Sequence, residues 1–155
     1  QESGAKLGAD VPFFVVGRNA WVEGVGERLA PLDLPPAWYL VLVPPVAVPT
    51  AEIFGAPELT RDTEPLKMED FSAHAGIFAA LRNDLEAVVA ARYPAVREHL
   101  EWLSGRGGGR LTGSGACVFA RFGDQASAER VLEELPGHMK GFVARGLGQH
   151  PLRDL

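Results

Sequence analysis

The stretch GRGGGRLTGSGACVFARF, residues 105–122, decides the fold, because a glycine-rich segment runs directly into an apolar one. Glycine disfavours regular structure, whereas the residues of 117–122 favour a strand. We therefore predict a loop that leads into a strand. After it, Asp124 predicts the start of a helix that ends at Pro136, and residues 141–147 predict a last strand.

Two helices and a strand are predicted upstream of the glycine-rich stretch. Apolar residues at helical spacing predict a helix over 72–92, which Pro94 ends, and a second helix that exits at Gly105. Residues 51–63 predict one helical turn followed by a loop. The nearly continuous apolar run 38–43 predicts a strand that is covered on both faces.

The order of these elements predicts the fold class. From residue 38 onward it reads strand, helices, strand or strand pair, helix, strand, which is typical of an α/β (α+β) sandwich with a ferredoxin-like split βαβ core. The first 35 residues do not fit inside that unit. There, the short runs 13–16 and 19–23 predict a hairpin or strand pair.

Composition excludes several classes of protein. The chain has 155 residues, 46% apolar and 23% charged, which suits one compact domain or two small lobes and excludes a disordered or coiled-coil chain. Its net charge of −5 and scattered basic residues predict no binding of nucleic acid. The most apolar stretch is too short to cross a membrane, and one cysteine cannot form an internal disulfide. We therefore expect a cytoplasmic protein.

The glycine-rich loop is the most site-like feature of the sequence. Glycines allow backbone N–H groups to converge on an anion, although no nucleotide-binding fingerprint is present. The residues alone leave a phosphate or substrate loop and a plain connection from helix to strand equally open. The four histidines have no metal-ligand spacing, so we predict no metal site built by this chain.

Four other residues, at three places in the sequence, allow two interpretations each. Asp10 precedes Val11 and Pro12, where a general base is one interpretation and a turn or cap is the commoner one. Phe54 follows a Pro-Thr turn and suits either a core contact that anchors the loop or a platform on which a base stacks. Asn83 and Asp84 lie within the predicted long helix, where they indicate either a hydrogen-bonding role or a solvated face.

Four segments together carry a resemblance to a known family. They are LGADVPFFVVGRNAWVEGVGERL at 7–29, VPTAEIF at 48–54, NDLE at 83–86 and RLTGSGACVFARF at 110–122. In order and spacing, they resemble the C-terminal half of the 4-diphosphocytidyl-2-C-methyl-D-erythritol kinases, small-molecule kinases of the GHMP superfamily in the non-mevalonate isoprenoid pathway.

The resemblance implies a reaction and roles for six residues. The reaction is transfer of the γ-phosphoryl group of ATP, with Mg²⁺, to a hydroxyl group of a cytidine-diphosphate-linked methylerythritol. Asp10 matches the catalytic carboxylate of the family. Thr50 and Phe54 match substrate contacts, with Phe54 stacked on the cytosine ring. Gly113, Ser114 and Gly115 match the reacting end of the acceptor site, whereas Asn83 and Asp84 are assigned to structure.

The resemblance also implies what this chain lacks. In the family, the ATP-phosphate loop and the lysine that pairs with the catalytic aspartate belong to an N-terminal half. We therefore expect residues 1–35 to be a remnant of that lobe and 36–155 to be the substrate-side domain, inactive alone, with ATP and Mg²⁺ bound mainly by the missing half. The start at Gln1, without a cap or core element, fits a piece of a longer chain.

Two alternatives to a kinase fragment stay open. The length and the missing ATP loop also suit a stand-alone ferredoxin-like module that binds a small molecule or has a regulatory role. In the other alternative, the exposed hairpin expected at 13–25 docks onto another chain, with a homodimer as one outcome.

Overall fold

A computed structural model of the protein describes residues 11–24, 26, 28–66 and 81–151. Within these ranges the chain divides into two compact units, one of which takes the residues up to Pro36 and those from Gly146 onward. The other unit is Ala37–Arg145. In the described part of the chain, no helix has both the length and the apolar character needed to cross a membrane.

The smaller unit contains a short helix and a hairpin. The helix α1 (Val11–Val16) is followed by strands β1 (Ala20–Glu23) and β2 (Arg28–Pro31), which pair antiparallel. The predicted strand over 13–16 is therefore wrong. Pro12 lies in the first turn of α1, where its missing N–H costs nothing, and Gly17 ends the helix with a φ of 62°.

The larger unit contains four strands and four described helices. In chain order they are β3 (Trp38–Leu42), α2 (Thr50–Phe54), α3 (Asp84–Arg92), α4 (Pro94–Ser104), β4 (Arg110–Leu111), β5 (Val118–Phe122), α5 (Gln125–Glu133) and β6 (Gly141–Arg145). Asp124 caps α5, as predicted, because its side chain accepts a hydrogen bond from the Ser127 N–H. The short strand β4 shows that the glycine-rich stretch also supplies a hairpin between β4 and β5.

The sheet has the split βαβ topology, which confirms the predicted fold class. Its strand order is β4-β5-β3-β6, and all neighbouring strands are antiparallel. The first strand of the unit, β3, therefore lies in the middle, between β5 and β6, and the helical connections cross between strands that are not neighbours.

The core lies on one face of the sheet. Leu40 and Leu42 of β3 and Val118 of β5 are fully buried, and they belong to one cluster with apolar residues of α3 and α4. Tyr39 and Val41 alternate with them and keep part of their surface exposed. Full coverage of both faces of β3 is thus a wrong expectation, because an antiparallel sheet can leave one face in water.

The helix predicted over 72–92 begins later than expected. In its described part, Leu81 and Arg82 are not helical, Asn83 is the N-cap and α3 starts at Asp84. Residues 72–80 lie outside the described residues. Asn83 and Asp84 are therefore at the start of a helix, where a side-chain oxygen accepts an otherwise free backbone N–H, so their placement in mid-helix is corrected. The helix ends before Pro94, as predicted.

Candidate functional site

A cleft of about 850 Å³ lies within the Ala37–Arg145 unit. The end of α2 contributes Phe54 and the loop after it contributes Arg61. The start of α3 contributes Asn83, and the loop between β4 and β5 contributes Gly113. Three regions that are far apart in the sequence, 54–61, 82–85 and 111–119, thus meet around one opening.

The loop between β4 and β5, residues 112–117, has a backbone that requires glycine. Gly113 and Gly115 have φ angles of 48° and 93°, which residues with a side chain rarely adopt. The Gly115 N–H donates to the Thr112 carbonyl at 2.8 Å, and the Thr112 N–H donates to the Cys117 carbonyl at 3.0 Å. The loop is therefore a tight, internally bonded turn, and both of its glycines with positive φ are residues that the family resemblance singles out.

Two of the expected substrate residues lie on one face of α2. Thr50 and Phe54 are four positions apart in this helix, which places their side chains one above the other. Between them in sequence, Ile53 is fully buried and anchors the helix to the core. The ring of Phe54 is 53% exposed and lines the cleft.

The structure brings Thr50 and Ser114 together, although they are 64 positions apart. Their hydroxyl oxygens are 2.7 Å from each other, within hydrogen-bond distance. The start of α2 is thereby joined to the 112–117 loop. Gly115, in the same loop, faces inward instead: a β-carbon there would lie 3.1 Å from Leu111 Cδ1.

The start of α3 holds the same loop from its other side. The amide nitrogen of Asn83 donates to the carbonyl of Gly113 at 2.6 Å and to that of Leu111 at 3.2 Å. Glu86 accepts the Leu111 N–H at 2.7 Å. The sequence carried a signal for this helix start, because Asn followed three residues later by Glu is typical of one, but it carried none for the contacts with the loop.

Two arginines at the cleft were missed from the sequence. Arg61 donates to the carbonyls of Phe54 and Ala56, so it braces the end of α2. Arg82 donates to Thr63 Oγ1 at 2.6 Å and pairs with Asp84 at 3.2 Å. No motif marks either residue, and the contacts of Arg61 with Phe54 and of Arg82 with Thr63 form only because the fold places these partners side by side.

A cluster of charged side chains joins α2 to α3. Arg92 pairs with Glu58 at 2.7 Å and with Glu52 at 3.2 Å. A backbone hydrogen bond and the hydrogen bond from Arg92 lower the pKa of Glu58, and the same contact raises the pKa of Arg92. Partial desolvation, followed by the charge of Glu52, raises the pKa of Tyr93. Glu58 and Arg92 are therefore ionised at neutral pH. Through its pair with Glu52 of α2, Arg92 of α3 joins the two helices that contact the loop.

The expected catalytic residue, Asp10, lies outside the described residues. Among the residues that the structure does describe, no three His, Cys, Asp or Glu side chains form a group that could hold a metal ion. The described site is thus a cleft lined by an exposed aromatic ring and part of a glycine turn, and the residues next to this lining in sequence carry two joined hydroxyl groups. Such a surface can bind a ring and a polar, hydroxylated group.

Comparisons with known proteins show which family the sequence is similar to. Residues 65–141 match the family model described as GHMP kinases C terminal. The chain is 55% identical over 150 residues to 4-diphosphocytidyl-2-C-methyl-D-erythritol kinase of Aromatoleum aromaticum (strain DSM 19018 / LMG 30748 / EbN1). The matched region is 97% of this chain and 51% of that protein. It is 59% identical over 149 residues to the kinase of the same name from Thiobacillus denitrificans (strain ATCC 25259 / T1). Here the matched region is 96% of this chain and 52% of that protein.

A solved structure is similar as well. The crystal structure of a 4-(cytidine 5'-diphospho)-2C-methyl-D-erythritol kinase superposes with a TM-score of 0.73 at 29% identity, covering 91% of this chain and 54% of that one. The chain therefore spans about half the length of the curated relatives and of the solved structure that it matches.

Proposed function

Since the chain belongs to the GHMP kinases and carries their C-terminal domain, we propose that it is the C-terminal half of an ATP-dependent kinase of the cytoplasm. Its substrate is 4-diphosphocytidyl-2-C-methyl-D-erythritol, an intermediate of non-mevalonate isoprenoid synthesis, and the reaction phosphorylates a hydroxyl group. The observation that carries the proposal is 55% identity over 97% of the chain to a kinase of that name. The fold of the larger unit is consistent with it.

In this proposal, the cleft receives the substrate. The cytosine ring stacks on the exposed face of Phe54, since an aromatic ring gives a nucleobase a flat apolar partner. Thr50 lies one helical turn away on the same face and contacts the substrate as well. Gly113, Ser114 and Gly115 form the end of the site where the reacting hydroxyl lies.

The catalytic carboxylate in the proposal is Asp10. The acceptor oxygen attacks the γ-phosphorus, the bond from that phosphorus to the bridging oxygen of ADP breaks, and the hydroxyl proton passes to Asp10. Such a base contributes about 10²–10⁴ in rate. Support comes from the Gly-Ala-Asp-Val-Pro segment at 8–12, which matches the family.

ATP and magnesium belong mainly to the other half of the protein in this proposal. When bound, Mg²⁺ neutralises the charge of the phosphates during transfer. The residues of this chain contribute the surface that binds and orients the acceptor.

A binding module without kinase activity is the second candidate function. It is favoured by one observation: all the described residues that line the cleft belong to the Ala37–Arg145 unit. Under this alternative, titration calorimetry with the cytidine-linked substrate detects binding to the chain, and the full-length protein transfers no phosphate.

The test of the kinase uses the full-length protein with the cytidine-linked substrate. Wild-type protein is expected to consume ATP and phosphorylate the substrate, and Asp10→Asn is expected to lower kcat by about 10²–10⁴. Asp33→Asn is the control, because the Asp33 side chain is fully exposed and its ion pair with Arg18 is long, at 3.8 Å. Such an exposed pair contributes little to stability. If the wild-type protein transfers no phosphate, the proposed function is wrong, whereas unchanged turnover in Asp10→Asn removes only Asp10 from catalysis.

A further inference from the structure

The side chain of Asn83 makes three hydrogen bonds, two of which a simple cap does not require. Its Oδ1 accepts the Leu85 N–H at 3.1 Å, which caps α3. Its Nδ2 donates at 3.2 Å to the carbonyl of Leu111 and at 2.6 Å to that of Gly113. The cap uses only the oxygen, so both bonds to the loop are additional to it.

The chemistry of the amide group makes these bonds specific to asparagine. The oxygen faces a donor and the nitrogen faces two acceptors, so the orientation of the amide is determined. Aspartate would keep the cap but place a second oxygen against two carbonyl oxygens. Serine would also cap the helix, but its side chain is too short for the same reach.

The bond to Gly113 orients the next peptide group. The Gly113 carbonyl and the Ser114 N–H belong to one planar peptide, in which they point in opposite directions. When Asn83 holds that carbonyl, the Ser114 N–H is directed away from Asn83. The hydroxyl of Ser114 is held from α2 by Thr50 at 2.7 Å. Ser114 is thus fixed through its backbone by one helix and through its side chain by another.

We infer that Asn83 is a positioning residue for phosphoryl transfer, which acts by fixing the Gly113–Ser114 peptide against the reacting end of the acceptor. The inference rests on the proposed function, because it takes the 112–117 loop as part of the acceptor site. Its physical basis is that a displacement of about 1 Å in a reacting group can cost about 10² in rate. Asn83 itself transfers no proton and forms no bond to the substrate.

The test measures kcat and KM of the full-length protein with Asn83→Ser and Asn83→Asp. Both variants keep a capping oxygen and lose the two bonds to the loop, so kcat is expected to fall about 10- to 100-fold. KM is expected to change less than about threefold, because the stacking of the cytosine on Phe54 is untouched. A role confined to the helix start would leave both the melting temperature and kcat close to wild type, because both variants keep the cap.

The control is Asp124→Ser, which makes the same kind of cap exchange at α5, away from the residues of the cleft. It is expected to keep kcat. Amide hydrogen exchange over residues 112–117 is expected to become faster in Asn83→Ser and to stay unchanged in Asp124→Ser. Wild-type kcat in both Asn83 variants overturns the inference, whereas absence of turnover in the wild-type protein overturns the proposed function.

Discussion

Phe54 leaves about half of its ring exposed, although its neighbour Ile53 is fully buried. Arg61 holds the Phe54 carbonyl, so the backbone beneath the ring is braced. An exposed aromatic side chain on a fixed backbone loses little conformational freedom when it binds a ligand. These features favour the stacking interpretation of Phe54 over a core contact.

We predict that Phe54→Ala in the full-length protein raises KM for the cytidine-linked substrate about 5- to 150-fold. The reason is the loss of a stacking contact worth about 1–3 kcal/mol, and kcat changes little because, in the proposed site, the ring contacts the cytosine and not the reacting hydroxyl. Steady-state kinetics measure the change. Phe54→Tyr keeps the aromatic face and is the matched control, and an unchanged KM in Phe54→Ala would show that the ring does not contact the substrate.

At the scale of elements, the caps of α3 and α5 differ in what they hold. Asp124 Oδ1 accepts the Ser127 N–H at 2.8 Å and Oδ2 accepts the Ser127 hydroxyl at 2.9 Å, so this cap stays within its own helix. The backbone hydrogen bond from Ser127, followed by the one from its hydroxyl, lowers the pKa of Asp124. Asn83 instead reaches across to the loop between β4 and β5.

The lowered pKa of Asp124 predicts a pH dependence of stability. A carboxylate with a lower pKa in the folded state stabilises the fold above its unfolded pKa of about 3.9, and this contribution is lost as the pH falls through the folded value. Asp124→Asn keeps a capping oxygen without the charge. We therefore expect the melting temperature of Asp124→Asn to be below wild type near neutral pH and to converge with it below about pH 4. Thermal melts over this range measure it, and a constant difference would contradict the prediction.

At the scale of the whole molecule, the sheet depends on the close approach of β6 to β3. Gly141 pairs with Leu42, and a β-carbon at Gly141 would lie 2.6 Å from Leu42 Cδ2 and 2.8 Å from the Val41 carbonyl oxygen. Because β3 also pairs with β5, a displacement of β3 would also displace β5, the strand that follows the 112–117 loop.

We predict that Gly141→Ala destabilises the protein by about 1–3 kcal/mol, since an added methyl group forces the central strand to move. Gly137→Ala is the matched control, because a β-carbon at Gly137 meets nothing within 4 Å. Its effect is expected within about 0.5 kcal/mol. Denaturant unfolding measures both, and equal midpoints for the two variants would show that β6 has room to adjust.

How far the sequence predicts the fold depends on whether the signal is local. Pro94 and the capping residue Asp124 act on their immediate neighbours, and the helices that they end or begin are confirmed. The apolar run 13–16 carries no such local signal of a strand, since β-prone side chains also suit a short helix behind Pro12. The start of α3 was missed because apolar residues continue at helical spacing upstream of Asn83. Asn83 itself has an extended backbone and is the N-cap, so the helix begins after it.

Within the larger unit, the sequence by itself predicted the order of strands and helices that is typical of a split βαβ sheet, because periodicity, prolines and caps are properties of neighbouring residues. It also identified the glycine turn and, through the family resemblance, the residues proposed to bind substrate. Only the tertiary structure decided which side chains meet: Thr50 with Ser114, Asn83 with Gly113 and Arg61 with Phe54. A hydrogen bond needs its two atoms within about 3 Å, and for partners distant in sequence the packed fold alone meets that condition.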